Sequence, residues 1–166
     1  GYTYEWNDAQ TDAVLLTTGK TKTIAGKPWT FPGRGECMSC HQAAAGFTLG
    51  LETAQLNRNE TRAGRTENQL TRLNRLGVFA TGVSFAGAPH YPSYTDATAT
   101  AEAKARSYLQ SNCSFCHQPG SVGRGLADYR FKTALSEMGI CNVEPEYDLG
   151  IAGAKVVVPG APEQSV

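Results

Sequence analysis

One five-residue pattern, cysteine, two residues, cysteine and histidine, occurs twice in this chain, at residues 37–41 (CMSCH) and 113–117 (CSFCH). With this spacing two thiols can add to the two vinyl groups on one edge of a haem, and the following imidazole can bind the iron. The pattern therefore predicts two covalently attached haem c groups. Their thioether links would be Cys37, Cys40, Cys113 and Cys116, and their proximal iron ligands would be His41 and His117.

Paired cysteines also occur in zinc sites and in redox-active disulfides, so these two interpretations are alternatives to haem attachment. A four-cysteine zinc site does not require a histidine directly after each pair. A thioredoxin-like disulfide needs a strand before the motif, and neither pair has one in the sequence pattern. The repeated histidine therefore favours haem.

The sequence around the motifs resembles a bacterial dihaem c-type cytochrome domain family. The resemblance lies in ECMSCHQAAAGFTLGLETAQLNR (Glu36 to Arg58), and further in YEWNDAQTDAVL, ARSYLQSNCSFCHQPG and LGIAGAKVVVPGAPEQSV, so that it spans nearly the whole chain. Each half resembles a small class I c-type cytochrome. The resemblance implies electron transfer. It also implies a further stretch after PGAPEQSV with a Met-Pro distal ligand and a closing helix, and the sequence ends at Val166 before any such stretch.

The fold expected from these features is mainly α with much irregular structure. It is a cytochrome c-like dihaem fold with two haem-binding lobes and a short-strand N-terminal extension. Residues 1–36 would form the extension of strands and loops, 37–97 the first haem lobe and 98–166 the second. The chain has 18 Gly and 8 Pro, which predict many turns, and 40% apolar residues, so we expect the haems to fill part of the core.

Two helices are predicted from local patterns. The first begins near Thr66, where Thr66 and Gln69 match a capping box, and it ends at Gly77. The second runs from about Thr98 to Asn112 and leads directly into the second motif. A short helix is expected over residues 131–138, and a strand over residues 155–158.

The sixth iron ligands are less constrained by the sequence. His90 is expected to be the distal ligand of the first haem, and its alternatives are an exposed loop histidine, a ligand of the second haem or a ligand of a neighbouring molecule. Met138 is the candidate distal ligand of the second haem, and its alternative is core packing. Met38 lies inside its own attachment motif and is set aside. Cys141 is the fifth cysteine, interpreted as a buried structural thiol, a link to another chain or a reactive site.

Five arginines surround the first predicted helix, and we interpret them as a solvated face, with pairing to haem propionates or to a partner as the alternative. These are Arg58, Arg62, Arg65, Arg72 and Arg75.

The favoured function is electron transfer without substrate turnover, between extracytoplasmic redox proteins such as cytochromes or dehydrogenases. The alternatives are a subunit of an extracellular cytochrome filament, which requires self-assembly, and a dihaem peroxidase-like enzyme. Fifteen basic and fifteen acidic residues cancel, so the charge does not favour nucleic acid, and no apolar run reaches the length of a membrane span. Because haem is attached to this motif after export, we expect a periplasmic or extracellular location in a bacterium.

Overall fold

The structure is a computed structural model that describes residues 1–81 and 83–166 of the chain. Its regular elements are short. The strands are β1 (Thr3–Trp6), β2 (Ala13–Leu16), β3 (Lys20–Ile24), β4 (Lys27–Phe31), β5 (Asn59–Arg62) and β6 (Arg65–Asn68). The helices are α1 (Arg34–Cys40), α2 (Thr53–Leu56), α3 (Gln69–Arg75) and α4 (Ala101–Asn112), and single 3-10 turns lie at Ala43–Ala45, Leu135–Glu137 and Pro162–Gln164.

Among the described residues the six strands pair as three separate antiparallel hairpins, β1–β2, β3–β4 and β5–β6. The second and third hairpins close through the same two-residue turn, Ala25-Gly26 and Ala63-Gly64, and all four turn residues have positive φ. Turns with positive φ at both positions match the twist of antiparallel strands and so favour tight hairpins. The short strands expected within residues 1–36 are therefore present as two hairpins.

The prediction of a mainly α, cytochrome c-like dihaem fold is wrong, because 24% of the chain is helical and 18% is in strands. The third hairpin explains part of the error. Residues 65–68, expected at the start of a helix, pair with residues 59–62 instead. Helix α3 begins only at Gln69, after Asn68, whose side-chain oxygen accepts hydrogen bonds from the N–H groups of Leu70 (2.9 Å) and Thr71 (3.4 Å). The cap is thus an asparagine, not the expected Thr66.

The prediction of a helix that leads into the second motif is confirmed. Helix α4 ends at Asn112, and Thr100 caps its first turn by accepting a hydrogen bond from the Ala103 N–H at 3.1 Å. The last third of the chain is more irregular than predicted. The helix expected over residues 131–138 is reduced to the 3-10 turn, and the strand expected over 155–158 makes isolated bridges, Val157 with Cys141 and Lys155 with Ser165.

A buried polar network joins the parts of the chain that carry the two motifs. The Gln110 side chain on α4 is buried, donates to Glu52 at the start of α2 (2.8 Å) and accepts from the Phe131 N–H (2.7 Å). Tyr91 packs on the Phe131 ring with centroids 4.7 Å apart. Burial, together with the neighbouring Glu52 carboxylate, raises the pKa of Tyr91 to about 12. The division into residues 1–36, 37–97 and 98–166 stays a prediction.

The apolar core made by side chains is small. The chain exposes 11528 Å² of surface, whereas a compact folded protein of this mass exposes about 8,000 Å². Many large apolar side chains contribute to the surplus of about 3,500 Å². The buried apolar residues of the described chain are Ala54, Leu70, Met138, Ile140 and Ala154.

Within residues 1–81 and 83–166, no helix combines the length and the apolar character that a membrane-spanning segment requires.

Candidate haem-attachment sites

Helix α1 carries both cysteines of the first motif. Its first turn is closed by the Glu36 carboxylate, which accepts a hydrogen bond from the Gly33 N–H at 2.6 Å. Cys37 and Cys40 are three residues apart on the helix, so their side chains share one face. The helix therefore presents two thiols side by side, as attachment of one haem edge requires.

His41 ends this helix and has its ring held in one orientation. Its N–H donates to the Cys37 carbonyl at 3.0 Å. Its ring Nδ1 lies 2.9 Å from the Phe47 carbonyl oxygen. Gly46 and Phe47 both have positive φ, which turns the chain back toward the ring. Because a carbonyl can only accept, the proton is on Nδ1, and the Nε2 lone pair is left to bind a metal.

The second motif directly follows helix α4 and repeats one backbone hydrogen bond of the first. The His117 N–H donates to the Cys113 carbonyl at 2.9 Å, the equivalent of the bond from His41 to Cys37. The buried Ser114 hydroxyl donates to the Gln110 carbonyl at 2.7 Å and fixes the start of the turn to the helix. Both predicted proximal histidines therefore have the same backbone relation to the first cysteine of their motif.

The surroundings of His117 differ from those of His41. Its carbonyl accepts from the Tyr129 N–H at 3.0 Å, and the two rings lie 5.1 Å apart. Gly123 donates its N–H to the Cys116 carbonyl at 2.8 Å and approaches the motif so closely that a Cβ would lie 2.9 Å from His117 Cγ. His117 Nδ1 is buried and has no hydrogen-bond partner within the described residues.

The fold brings the two motifs together. Burial raises the pKa of the Cys116 thiol, and the neighbouring thiols of Cys40 and Cys113 raise it further. Cys40 of the first motif therefore lies near Cys116 of the second. Gln42, which follows the first motif, donates to the Ser121 hydroxyl at 2.6 Å, and that hydroxyl donates to the Phe115 carbonyl at 2.9 Å. The attachment points of the two predicted haems are therefore adjacent.

A largely apolar cavity of about 360 Å³ lies beside His117. Leu126 and Leu149 in its lining are 94% and 76% exposed, which is unusual for leucines that face a common space. A macrocycle bound through His117 would cover such side chains. The remaining apolar lining comes from Ala127, Tyr129, Val143, Pro145, Tyr147, Val156 and Val166.

The candidate distal ligands occupy contrasting places. His90 is exposed on a segment anchored on both sides: Asn57 donates to the Ala88 and Pro89 carbonyls (2.8 and 3.1 Å), and the Tyr91 N–H donates to the Ala54 carbonyl (3.0 Å). Met138 is 1% exposed, which fits the packing alternative. The assignment of either residue as an iron ligand stays a prediction.

Cys141 is half-buried, and all five cysteines are free thiols in the described chain. No group of three or more His, Cys, Asp or Glu side chains among residues 1–81 and 83–166 is arranged to hold a metal ion. The oriented His41 ring and the cavity beside His117 are compatible with covalently bound haem, and haem attachment at the two motifs stays a prediction.

Sequence reasoning missed the residues that support the motifs. The Phe47 carbonyl acts through the backbone, so its residue type gives no signal, although Gly46 before it marks a turn. Gly123 and Tyr129 hold the second motif, and only the glycine could have been suspected as a position of close approach.

The chain matches none of the family models, none of the curated proteins and none of the solved structures with which it was compared.

Proposed function

We propose that this chain binds two haems covalently and carries electrons between redox proteins outside the cytoplasm. The observation that best supports the proposal is that two CxxCH motifs, distant in sequence, repeat the same His-to-Cys backbone hydrogen bond and lie close together, because the Ser121 hydroxyl accepts from Gln42 and donates to the Phe115 carbonyl. A carrier with two centres benefits from adjacent attachment points, because electron transfer weakens steeply with separation. Export follows from the chemistry of attachment, which takes place after the chain leaves the cytoplasm.

Each residue of the motifs has a defined role in this proposal. Cys37 and Cys40 would hold one haem, and Cys113 and Cys116 the other, so that neither group is lost on dilution. Haem, when bound, supplies a one-electron iron couple whose potential depends on its axial ligands and their hydrogen bonds.

The two proximal histidines would donate to iron unequally. The hydrogen bond from His41 Nδ1 to the Phe47 carbonyl makes that imidazole a stronger donor, as outer-shell acceptors do for metal-bound histidines. His117 Nδ1 has no such acceptor in the described chain. A stronger donor stabilises the oxidised metal, so we expect two unequal reduction potentials, with the lower one at the first site.

The test is the mass of the intact protein after export and acid-acetone extraction, which removes only haem that is not covalently bound. We expect the mass of the chain plus two haems. Replacement of Cys37 and Cys40 by Ala, or of Cys113 and Cys116 by Ala, should remove one haem each, whereas Cys141→Ala is the control and should retain both. A chain that retains no haem and binds zinc instead would contradict the proposal.

A further inference from the structure

The hairpin β5–β6 places like charges directly opposite each other. In its register Glu60 faces Glu67 and Arg62 faces Arg65. Residues two apart on a strand lie on the same side of the sheet, so both pairs are on one face. Like charges in directly opposed positions destabilise a hairpin. Residues that are unfavourable for the local structure in this way are expected at functional positions.

Helix α3 adds two more arginines to this face. Arg72 and Arg75 are three residues apart on the helix and therefore lie on the same side of it. α3 follows β6 directly and packs against it. Arg75 reaches the Glu67 carboxylate at 2.7 Å, and Arg65 reaches the other oxygen of the same carboxylate at 3.3 Å. The hydrogen bond from Arg75 is the main reason that the pKa of Glu67 lies below its usual value.

The side chains of the two glutamates are less exposed to solvent than those of the arginines with which they pair. The Glu67 side chain is 15% exposed, whereas those of Arg65 and Arg75 are 67% and 50% exposed. Arg62 is likewise more exposed than Glu60, with which it pairs at 2.8 Å. A guanidinium has five N–H donors, and each of these ion pairs uses one nitrogen. The two glutamates thus hold the guanidinium groups in place and leave further donors facing outward.

These side chains line a cavity of about 320 Å³. Apart from Ala63, every residue of the lining is charged: four arginines and two glutamates. The two carboxylates neutralise two of the four guanidinium groups, so the cavity has a net charge of +2. The six charged residues that line this cavity are Glu60, Arg62, Arg65, Glu67, Arg72 and Arg75.

We propose that this arginine cavity binds a dianionic oxyanion, namely a phosphate group or a pair of carboxylates. Guanidinium groups match the planar spacing of such oxygens and bind them with two parallel hydrogen bonds. Two negative charges on the ligand would neutralise the cavity and remove the repulsion between Arg62 and Arg65. The site does not depend on the proposed electron transfer, since none of its residues belongs to a haem-attachment motif.

The test is isothermal titration calorimetry of the full haem-loaded chain with inorganic phosphate at low ionic strength, where exposed charges are least screened. We expect saturable binding at one site. Loss of one charge-assisted contact should weaken it roughly tenfold or more in Arg72→Gln and, independently, in Arg62→Gln. The matched control is Lys22→Gln, which removes a cationic side chain that is 41% exposed and paired with Glu5 at 3.3 Å, outside the cavity, and it should bind like the wild type.

Succinate as the second probe distinguishes the two ligand sources. Binding of phosphate alone assigns the site to phosphate groups, and binding of succinate assigns it to paired carboxylates. The absence of saturable binding of both probes to the haem-loaded chain would overturn the proposal. It would also fail if Lys22→Gln weakened binding as much as Arg72→Gln did. Binding of a polyglutamate peptide alone would instead make the surface a protein-docking site.

Discussion

Replacement of Gly123 by Ala tests how the second motif is held. Gly123 lies against the turn that carries Cys116 and His117. A Cβ at this position would lie 2.8 Å from the Cys116 carbonyl carbon and 2.9 Å from His117 Cγ, and it would also contact the Cys116 carbonyl oxygen. Ordinary contacts begin at 3.4 Å, so the backbone has to move by about half an ångström or more.

The expected cost combines two effects. Extra volume in a packed region costs about 1–3 kcal/mol. The movement also breaks the hydrogen bond of 2.8 Å from the Gly123 N–H to the Cys116 carbonyl, which contributes about 0.5–1.5 kcal/mol. We therefore expect a loss of about 2–4 kcal/mol of unfolding free energy. For a chain of this size that corresponds to roughly 3 °C of melting temperature for each kcal/mol.

The assay compares urea unfolding of the haem-loaded variant with that of Gly120→Ala. Gly120 has φ +78° with no atom near its Cβ position, so its replacement costs only left-handed strain, about 1–2 kcal/mol. Peptide mass spectrometry should also show less haem on residues 113–117 than on residues 37–41 in Gly123→Ala. The reasoning is refuted if Gly123→Ala is no less stable than Gly120→Ala and keeps full haem at both motifs.

Three further predictions concern single side chains. Asp128 is buried and paired with Arg130 at 2.6 Å. The hydrogen bond from Arg130 is the main reason that the pKa of Asp128 falls to about 2. A depressed carboxyl pKa stabilises the fold fully above pH 3.8, and this stabilisation is lost as the pH falls through about 2. Asp128→Asn should therefore lose about 2 kcal/mol of unfolding free energy at pH 6 and only a small part of that at pH 2 in urea titrations. Met138→Leu should cost less than about 1.5 kcal/mol because volume is conserved. An altered absorption spectrum of the second haem in Met138→Leu would identify Met138 as its ligand. An unchanged spectrum would show that Met138 only packs in the core. His90→Ala should raise the lower potential in a redox titration, and an unchanged titration would contradict its role as distal ligand.

The sequence predicted the chemistry of the motifs in more detail than the fold around them. The end of α4 was predictable because helix-forming residues run without interruption up to the second motif. The hairpin at residues 59–68 was not, because its turn is Ala63-Gly64, whereas the familiar signal for such turns is Asn-Gly or Asp-Gly. Its strands also carry charged residues on both sides of the turn, so they show no alternation of apolar and polar side chains.

The structural environment of the motifs could be predicted only in part. Cysteine and histidine spacing follows from covalent chemistry and is local, so the turns at residues 37–41 and 113–117 could be inferred directly. The proximity of Cys40 to Cys116 depends on tertiary packing, and the hydrogen bond from His41 to the Phe47 carbonyl depends on the backbone. Neither leaves a pattern in a single sequence.

The pairing of the strands in twos has a consequence for association between chains. In the described part of the chain each strand has one partner, so each has an open edge that can accept another strand. Lysine and proline protect β3–β4, and arginine protects β5–β6. The strands β1 and β2 contain no lysine, arginine or proline, and they expose Tyr4, Trp6, Val14 and Leu15. This first hairpin is therefore where the chain is most vulnerable to intermolecular β-sheet formation and aggregation.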